Sequence, residues 1–454
     1  MRNKCFHPPL IATGLAGALL AGASLAQSPP LQRTWSRTYG GSSSEQGLLA
    51  VKQIPGGRLV VAGYSASFGG PRQSNWLMNL GLGEGNVIFE HTNSTAFGGF
   101  TDGAAIAADA GALFMGRDVL EIFLKHDAWL VRVDSGGAVV WSQGFTRQGW
   151  GRHFLFDAAE LADGSWIAVG ATSILDQPPQ AAWIVRLSAT GALIWQYEYN
   201  GGLVETARSV VPTADGGFAV AGSSTSSGAG SEDVWVMKID AAGVIQWQKT
   251  LGGADNDQAE QIIELDDGSF AVAGFTNSLT PSGHAPWLLR LASNGALLWH
   301  KVVADDVWGD LGALAKTNDG KLIVVGRVAQ SGFPSNDLWC AKFAAADGKV
   351  SWQTAYEGDS GDFGSVVLPM TGSSFILGGT WGWGFPQESI WLQRVDRRGG
   401  LNGCGLARAT DFSTPSPTVT VLDAISSRAP GGAQTQPVAV LLAPSAAVVT
   451  DRCP

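Results

Sequence analysis

Apolar and polar positions alternate along most of the chain with the two-residue period of strands, in short runs cut by glycine-containing turns. The stretch from 207 to 251 shows the pattern most cleanly. Ala207 to Thr213 is an apolar run, Asp215-Gly216-Gly217 a tight turn, Phe218 to Gly222 a second run, and Ser223 to Glu232 a polar loop. Val234 to Ile239 is a third run, Asp240-Ala241-Ala242-Gly243 a turn, and Val244 to Leu251 a fourth run. This predicts four short antiparallel strands joined by hairpins, with glycine where a turn demands positive φ. The unit recurs along the chain. Gly63, Gly116, Gly170, Gly222, Gly274, Gly326 and Gly378 follow apolar runs at spacings of 53, 54, 52, 52, 52 and 52. Trp76, Trp129, Trp183, Trp235, Trp287, Trp339 and Trp391 keep the same spacings, and Phe89, Trp141, Trp195, Trp247, Trp299 and Trp352 form a third set, each four residues after a glycine. Seven units of about 52 residues fill positions 35 to 400.

A four-stranded sheet of this size cannot bury both faces by itself, whereas radial packing gives each sheet two neighbours and leaves no long exposed edges. A solenoid is the rival arrangement, but the seventh unit runs out at Arg397-Arg398-Gly399-Gly400, with Cys404 where its last aromatic belongs. The missing strand stands at the other end, where Trp35-Ser36-Arg37-Thr38-Tyr39-Gly40-Gly41 matches Trp247-Gln248-Lys249-Thr250-Leu251-Gly252-Gly253. The expectation is an all-β fold: a seven-bladed β-propeller of four-stranded antiparallel blades over 27–404, closed by an N-terminal strand. Leu401 to Cys404 as its own fourth strand is the competing possibility. Residues 405–454 leave the repeat. Their runs Thr418 to Leu422 and Pro437 to Leu442 predict a small β appendage, read as a strand pair stapled to the propeller.

The unit resembles the repeats of secreted bacterial β-propeller proteins, with their Trp…Gly-Gly…Asp-Gly-Gly…Ala-Gly…Asp-x-Trp…Lys-x-Asp…Gly pattern, over about four-fifths of the chain. The segment Lys238-Ile239-Asp240-Ala241-Ala242-Gly243-Val244-Ile245-Gln246-Trp247 also resembles the Trp-docking repeat of quinoprotein-like (PQQ-like) propellers. That resemblance implies that the fourth-strand Trp docks between blades. It implies a fold and an address, and no reaction.

Residues 1–26 read as a signal peptide, with Arg2 and Lys4 before an apolar core at Leu10 to Leu20 and small residues at Ser24-Leu25-Ala26. No later segment offers the roughly 20 unbroken apolar residues of a spanning helix. A secreted or periplasmic protein is therefore expected, without a transmembrane segment once the leader is cleaved. The formal net charge of −10 becomes more acidic when Arg2 and Lys4 leave with the leader, which excludes a nucleic-acid partner and favours a soluble monomer. In an oxidising compartment Cys404 and Cys453, which bracket the C-terminal segment, are the expected disulfide, a closure worth roughly 4 kcal/mol in the chain-entropy model. Cys340, inside an apolar run, is expected to be a buried thiol.

Three sets of residues carry candidate chemistry. Arg132, Arg186, Lys238, Arg290, Lys342 and Arg394 stand three residues after the strand-three Trp, where strand alternation turns them toward a neighbouring blade to pair or stack. Asp257, Asp310 and Asp362, with Glu45, Asp102 and Glu205, lie where loops enter the innermost strands and could form an acidic mouth, although carboxylates there ordinarily cap turns. Trp150, Trp308, Trp381 and Trp383 lie outside the repeat, on the face that carries the long loops, and could stack on sugars, anchor a partner or plug their own loops.

No HExxH, GxSxG, Cys-x-x-Cys or vicinal cysteine pair occurs, and the five His after the leader are scattered. The expectation is a non-catalytic propeller that binds a macromolecule or glycan on its loop-rich face, with no cofactor and no metal. One alternative is an enzyme acting on polysaccharide or with a quinone cofactor. The other is a structural or assembly scaffold of the cell envelope.

Overall fold

The computed structural model describes residues 34–40, 45–67, 73–95, 99–120, 125–146, 151–174, 177–281, 283–303, 307–330, 336–358, 361–382, 388–402, 404–424, 426–430, 434–436, 440–443 and 448–451. Among them there is no helix. The strands pair into seven successive antiparallel units, 45–95, 100–146, 152–200, 205–252, 257–302, 307–356 and 363–395, the last taking its fourth strand from Trp35–Gly40. The architecture is a β-propeller. In the fourth unit the strands Glu205–Pro212, Phe218–Ser224, Asp233–Ile239 and Ile245–Gly252 fall on the four apolar runs of the sequence. The N-terminal strand pairs from Trp35 opposite Arg394 to Tyr39 opposite Ile390, while Leu401, Asn402 and Cys404 lie outside any strand.

Both faces of each sheet are apolar because the cores lie between units. Ala259, Trp287 and Val302 pack in one cluster with Ala219, Val234, Val236 and Leu251 of the preceding unit. The same relation joins the seventh unit to the first, where Trp35, Val366, Ile376 and Ile390 share a cluster with Leu48, Val61, Trp76 and Met78. Fourth-strand aromatics pin these junctions. The indole N–H of Trp247 donates to the carbonyl of Ser293 in the next unit at 2.9 Å, Trp299 to Ala345 at 2.9 Å, and Trp141 to Ala189 at 3.1 Å. Trp35 repeats the bond across the last junction, to Leu82 of the first unit at 3.0 Å. The indole rests on the receiving turn, so that turn needs glycine twice over. Gly295 has φ +81°, and a Cβ there would lie 2.8 to 3.1 Å from the Trp247 ring.

The strand-three Trp residues are buried, and several donate to the fourth strand: Trp183 to Gln196 at 3.0 Å, Trp235 to Gln248 at 3.2 Å and Trp391 to Ser36 at 2.7 Å, while Trp339 donates to Thr410 of the tail at 3.2 Å. Most of the bases three residues later meet the carboxylate of their own unit's first turn, Arg132 with Asp109 at 2.6 Å, Lys238 with Asp215 at 2.9 Å and Lys342 with Asp319 at 2.9 Å, whereas Arg394 donates to the Leu82 carbonyl at 3.1 Å. They also reach the neighbouring blade, Arg132 lying 5.9 Å from the Trp166 ring and Lys342 5.4 Å from Phe375. The Thr213 hydroxyl, and with it Lys238, holds the Asp215 carboxyl down to about 2. One register detail differs from the sequence reading: in the seventh unit the glycine opposite strand one and the repeat Trp is Gly379, not Gly378.

Among the described residues the C-terminal segment forms no strand pair of its own. Ala407–Ala409 pairs with the fourth strand of unit six, Thr420–Asp423 with that of unit four, Ser427–Pro430 with unit three, Gln434–Gln436 with unit two and Val440–Ala443 with unit one. Val448–Asp451 then pairs with Trp35–Gly40 in unit seven. Between its first two stations the tail passes unit five, where the Val302 N–H donates to the Pro415 carbonyl at 3.0 Å. The physical reason is the outer edge of each unit, a row of unpaired backbone donors and acceptors, against which an isolated two-stranded hairpin is only marginally stable. Cys340 is buried and free, its thiol pushed well up by burial. Cys404 is disulfide-bonded and half-buried, and Cys453 lies outside the described residues.

Two outcomes follow. Gly295→Ala lowers stability by about 2 kcal/mol, whereas Gly216→Ala, with φ +82° but open space around the new methyl, costs about 1 kcal/mol, both read by denaturant unfolding. Truncation after residue 405 uncovers the outer strands, so the thermal midpoint falls and light scattering rises. An unchanged midpoint with unchanged scattering would show that these edges need no cover.

Candidate functional site

In every unit the pairing of strands one and two breaks by one residue, as between Ala207 and Ser209 or Ala259 and Gln261. Such a bulge leaves one residue outside the ladder and re-aims its side chain. The skipped residues are Leu49, Asp102, Phe156, Arg208, Glu260, Gly312 and Ser365. All seven line a single recess of about 220 Å³. One position of the repeat thus delivers seven different side chains to a common channel.

Residues on the bulge or just after it also stitch neighbouring units at the wall of that recess. Asp157 accepts from the Ser209 hydroxyl at 2.9 Å and the Val210 N–H at 2.9 Å, and Ser365 Oγ donates to the Leu48 carbonyl at 2.8 Å. These bonds hold the channel wall in place.

Above the recess, toward the long loops, opens a cavity of about 390 Å³ that shares Glu260, Gly312 and Ser365 with it. Its wall is a ladder of flat groups. His284 lies between Phe275, at a ring separation of 4.0 Å, and Trp308, at 4.8 Å. The Arg327 guanidinium lies 4.7 Å from the Trp308 ring and 5.4 Å from Phe363. Asp310 fixes this Arg through Nε at 2.9 Å and Nη2 at 2.7 Å. His284 spans from Asn277 Oδ1, 2.9 Å from Nδ1, to Asp310 Oδ2, 3.5 Å from Nε2. The other oxygen of Asp310, Oδ1, is buried and has no hydrogen-bond partner.

Burial sets the electrostatics below. The Asp102 carboxyl is pushed up to about 6 by burial, with Arg117 at 2.7 Å opposing. Glu260 is pushed up by burial too, with Arg208 opposing and Asp310 adding to the rise. Arg208 itself lies 4.7 Å over the Phe156 ring.

The sequence-derived candidates part company here. Asp310 lines the cavity, whereas Trp308, 38% exposed, does not line it and backs it through its stacking on His284 and Arg327. Asp257 and Asp362 do not: they stand three residues before the bulge, buried, and tie loops together. Asp257 accepts from Gly253 N at 2.8 Å, Ser278 Oγ at 2.8 Å and Asn277 N at 3.1 Å, and Asp362 from Gly382 N at 3.1 Å. Trp381 is also not an exposed platform. It is 6% exposed and packs edge-on against Trp391 at 4.6 Å, because it ends the second strand of unit seven on its core-facing side. Trp150 and Trp383 lie outside the described residues. No group of three or more metal-ligating side chains converges among the described residues.

The sequence reading passed over Arg208, Glu260, Arg327, His284 and Phe275. A signal existed for the channel: each bulge residue stands 14 places before the repeat glycine of its unit, counting Gly379 in the seventh. In that column the repeat changes residue type at every step.

Asp102 gives this site a pH signature. Its ordinary value is 3.8 and its value in the fold about 6, so between these the folded chain holds the extra proton. Stability contributed here is present at low pH and falls as pH rises from about 4 to about 6. Asp102→Asn flattens that part of the profile, seen by comparing thermal midpoints of the two proteins from pH 4 to 7. Parallel profiles would mean that Asp102 ionises normally.

No family model matches the chain, and no curated protein matches it. Among solved structures it is similar to puromycin hydrolase, at 12% identity and a TM-score of 0.45, over 81% of this chain and 54% of that one. The chain thus spans about half the length of that protein. It is also similar to the α-L-arabinanase of Penicillium chrysogenum complexed with arabinobiose, at 10% identity and a TM-score of 0.38, over 80% of this chain and 98% of that one. At these values neither bears on what this chain binds, and the propeller fold rests on its own strand pairing. Among the described residues no helix is long and apolar enough to cross a membrane.

Proposed function

We propose that the seven units are the blades of one closed ring, and that the mouth of its central channel on the loop-rich face binds a glycan. The observation that carries this is Asp310. Its Oδ1 is a buried acceptor without a partner, in a cavity of about 390 Å³ lined by the rings of Phe275, His284 and Phe363, with the half-exposed Trp308 stacked behind His284. A flat aromatic surface next to an unsatisfied carboxylate oxygen suits a sugar ring, which offers an apolar face and hydroxyl donors at its rim. The cavity falls within the size range of small-molecule sites. Binding rather than turnover is the primary reading, in an exported, monomeric protein whose Cys404 pairs with Cys453 beside the last station of the C-terminal tail.

A second reading, glycan hydrolysis, is favoured by one feature. Glu260 is pushed toward its neutral form and shares the cavity wall with Asp310, and glycoside hydrolysis uses two carboxyls flanking the scissile bond, the acid among them raised by its surroundings.

The test is a glycan array followed by calorimetry on residues 27–454, beside Trp308→Ala and Asp310→Asn. Each variant weakens binding roughly tenfold or more while keeping the wild-type thermal midpoint. Failure of the wild type to bind any glycan would discard the reading, and release of new reducing ends, abolished in Glu260→Gln, would replace it with the enzymatic one.

A further inference from the structure

Three guanidinium groups reach the channel and its mouth, and two are already matched. Arg117 meets Asp102 at 2.7 Å, and Arg327 meets Asp310 at 2.7 Å. Arg208 has no such partner: it makes no ion pair and no side-chain hydrogen bond with any other described residue, and its charge lies 4.7 Å from the Phe156 ring. The carboxyls that feel it are Asp102 and Glu260. Asp102 is committed to Arg117, and Glu260, which burial pushes toward its neutral form, makes no ion pair with Arg208. A guanidinium does not lose its proton, and in a recess walled by protein its charge calls for an anion.

The recess around Arg208 is small, about 220 Å³, and it shares Glu260, Gly312 and Ser365 with the larger mouth above. A ring held at the mouth against the His284 and Phe363 rings that line it can therefore lower one substituent into the recess. The planar fork of an arginine side chain matches a carboxylate with two parallel hydrogen bonds. We propose that the glycan is acidic, and that Arg208 receives the carboxylate of a uronic acid residue whose ring occupies the mouth. The channel bulge then sets the ligand's charge, while the aromatic ladder and Asp310 set its shape. This rests on the reading of the mouth as a glycan site.

The experiment is calorimetry of the full mature chain with oligo-uronates of the galacturonic, glucuronic and mannuronic types. Each is titrated beside its methyl ester, which keeps the ring and removes the charge, and beside a sulfated neutral oligosaccharide. At least one uronate binds tenfold or more tightly than its ester. In Arg208→Gln, checked for fold by circular dichroism, acid and ester bind alike, whereas Trp308→Ala weakens both. The wild-type comparison of acid with ester needs no variant, so a misfolded mutant leaves the test intact. Binding of neutral glycans and esters as tightly as of uronates would overturn this inference and leave the glycan reading standing. Preference for the sulfated sugar would overturn the carboxylate assignment, and binding of none would overturn both readings.

Discussion

The structure depends on contact between blades more than on any blade. A four-stranded unit of about 50 residues has two apolar faces and no interior, so its core exists only where the next unit supplies the other half. Each junction is keyed by an aromatic on an outer strand and a bare glycine turn on the neighbour, as with Trp247 over Gly295, and the indole N–H takes the turn carbonyl at Ser293. Dispersion and hydrogen bonding act at one point, and the absence of a side chain on the turn is what permits the approach. Trp35 applies the same key between the last unit and the first, so the chain ends are held by the contact that also joins units two and three, four and five, and five and six.

Once neighbours are fixed in this way, the inner and outer edges of the sheets are free for other uses. On the inside, a bulge in every first strand turns one residue out of the ladder, and the radial arrangement gathers seven of them around one recess. The fold has no stability reason to fix their identity, because none takes part in strand pairing at that position. On the outside, the edges would invite association with other chains, and the tail covers them in descending order from unit six to unit one before ending on the N-terminal strand of unit seven. The same segment that covers the edges lies against Trp35–Gly40, the strand on which the last blade depends.

Periodicity explains what could be read from the chain and what could not. Strand runs, turn glycines, docking tryptophans and the displaced N-terminal strand all repeat, and repetition makes a weak local signal strong. The bases after the strand-three Trp were legible for the same reason, and they meet the turn carboxylates Asp109, Asp215 and Asp319. The tail was not legible, since Thr418 to Leu422 reads equally well as half of a hairpin or as an added edge strand. Its partner, the fourth strand of unit four, lies about 170 residues away.

For the site the relation between repetition and information reverses. A residue that recurs in every unit is explained by the junctions, so a binding site must be sought where the repeat is broken. Trp308 met that condition and sits at the mouth, but Trp381 met it too and became a core residue, because its place at the end of a strand turned it against Trp391. Exception alone is therefore insufficient. What separates the two is direction, and direction in a propeller is set by the strand alternation and by the bulge. Asp257 and Asp362 lie three residues before the bulge and tie loops, Asp310 lies two before it and faces the cavity, and Asp102 lies on it and faces the channel. A shift of one residue along the same strand thus converts a carboxylate from a loop anchor into part of a binding surface, and the charge carried at each step is free to follow the ligand.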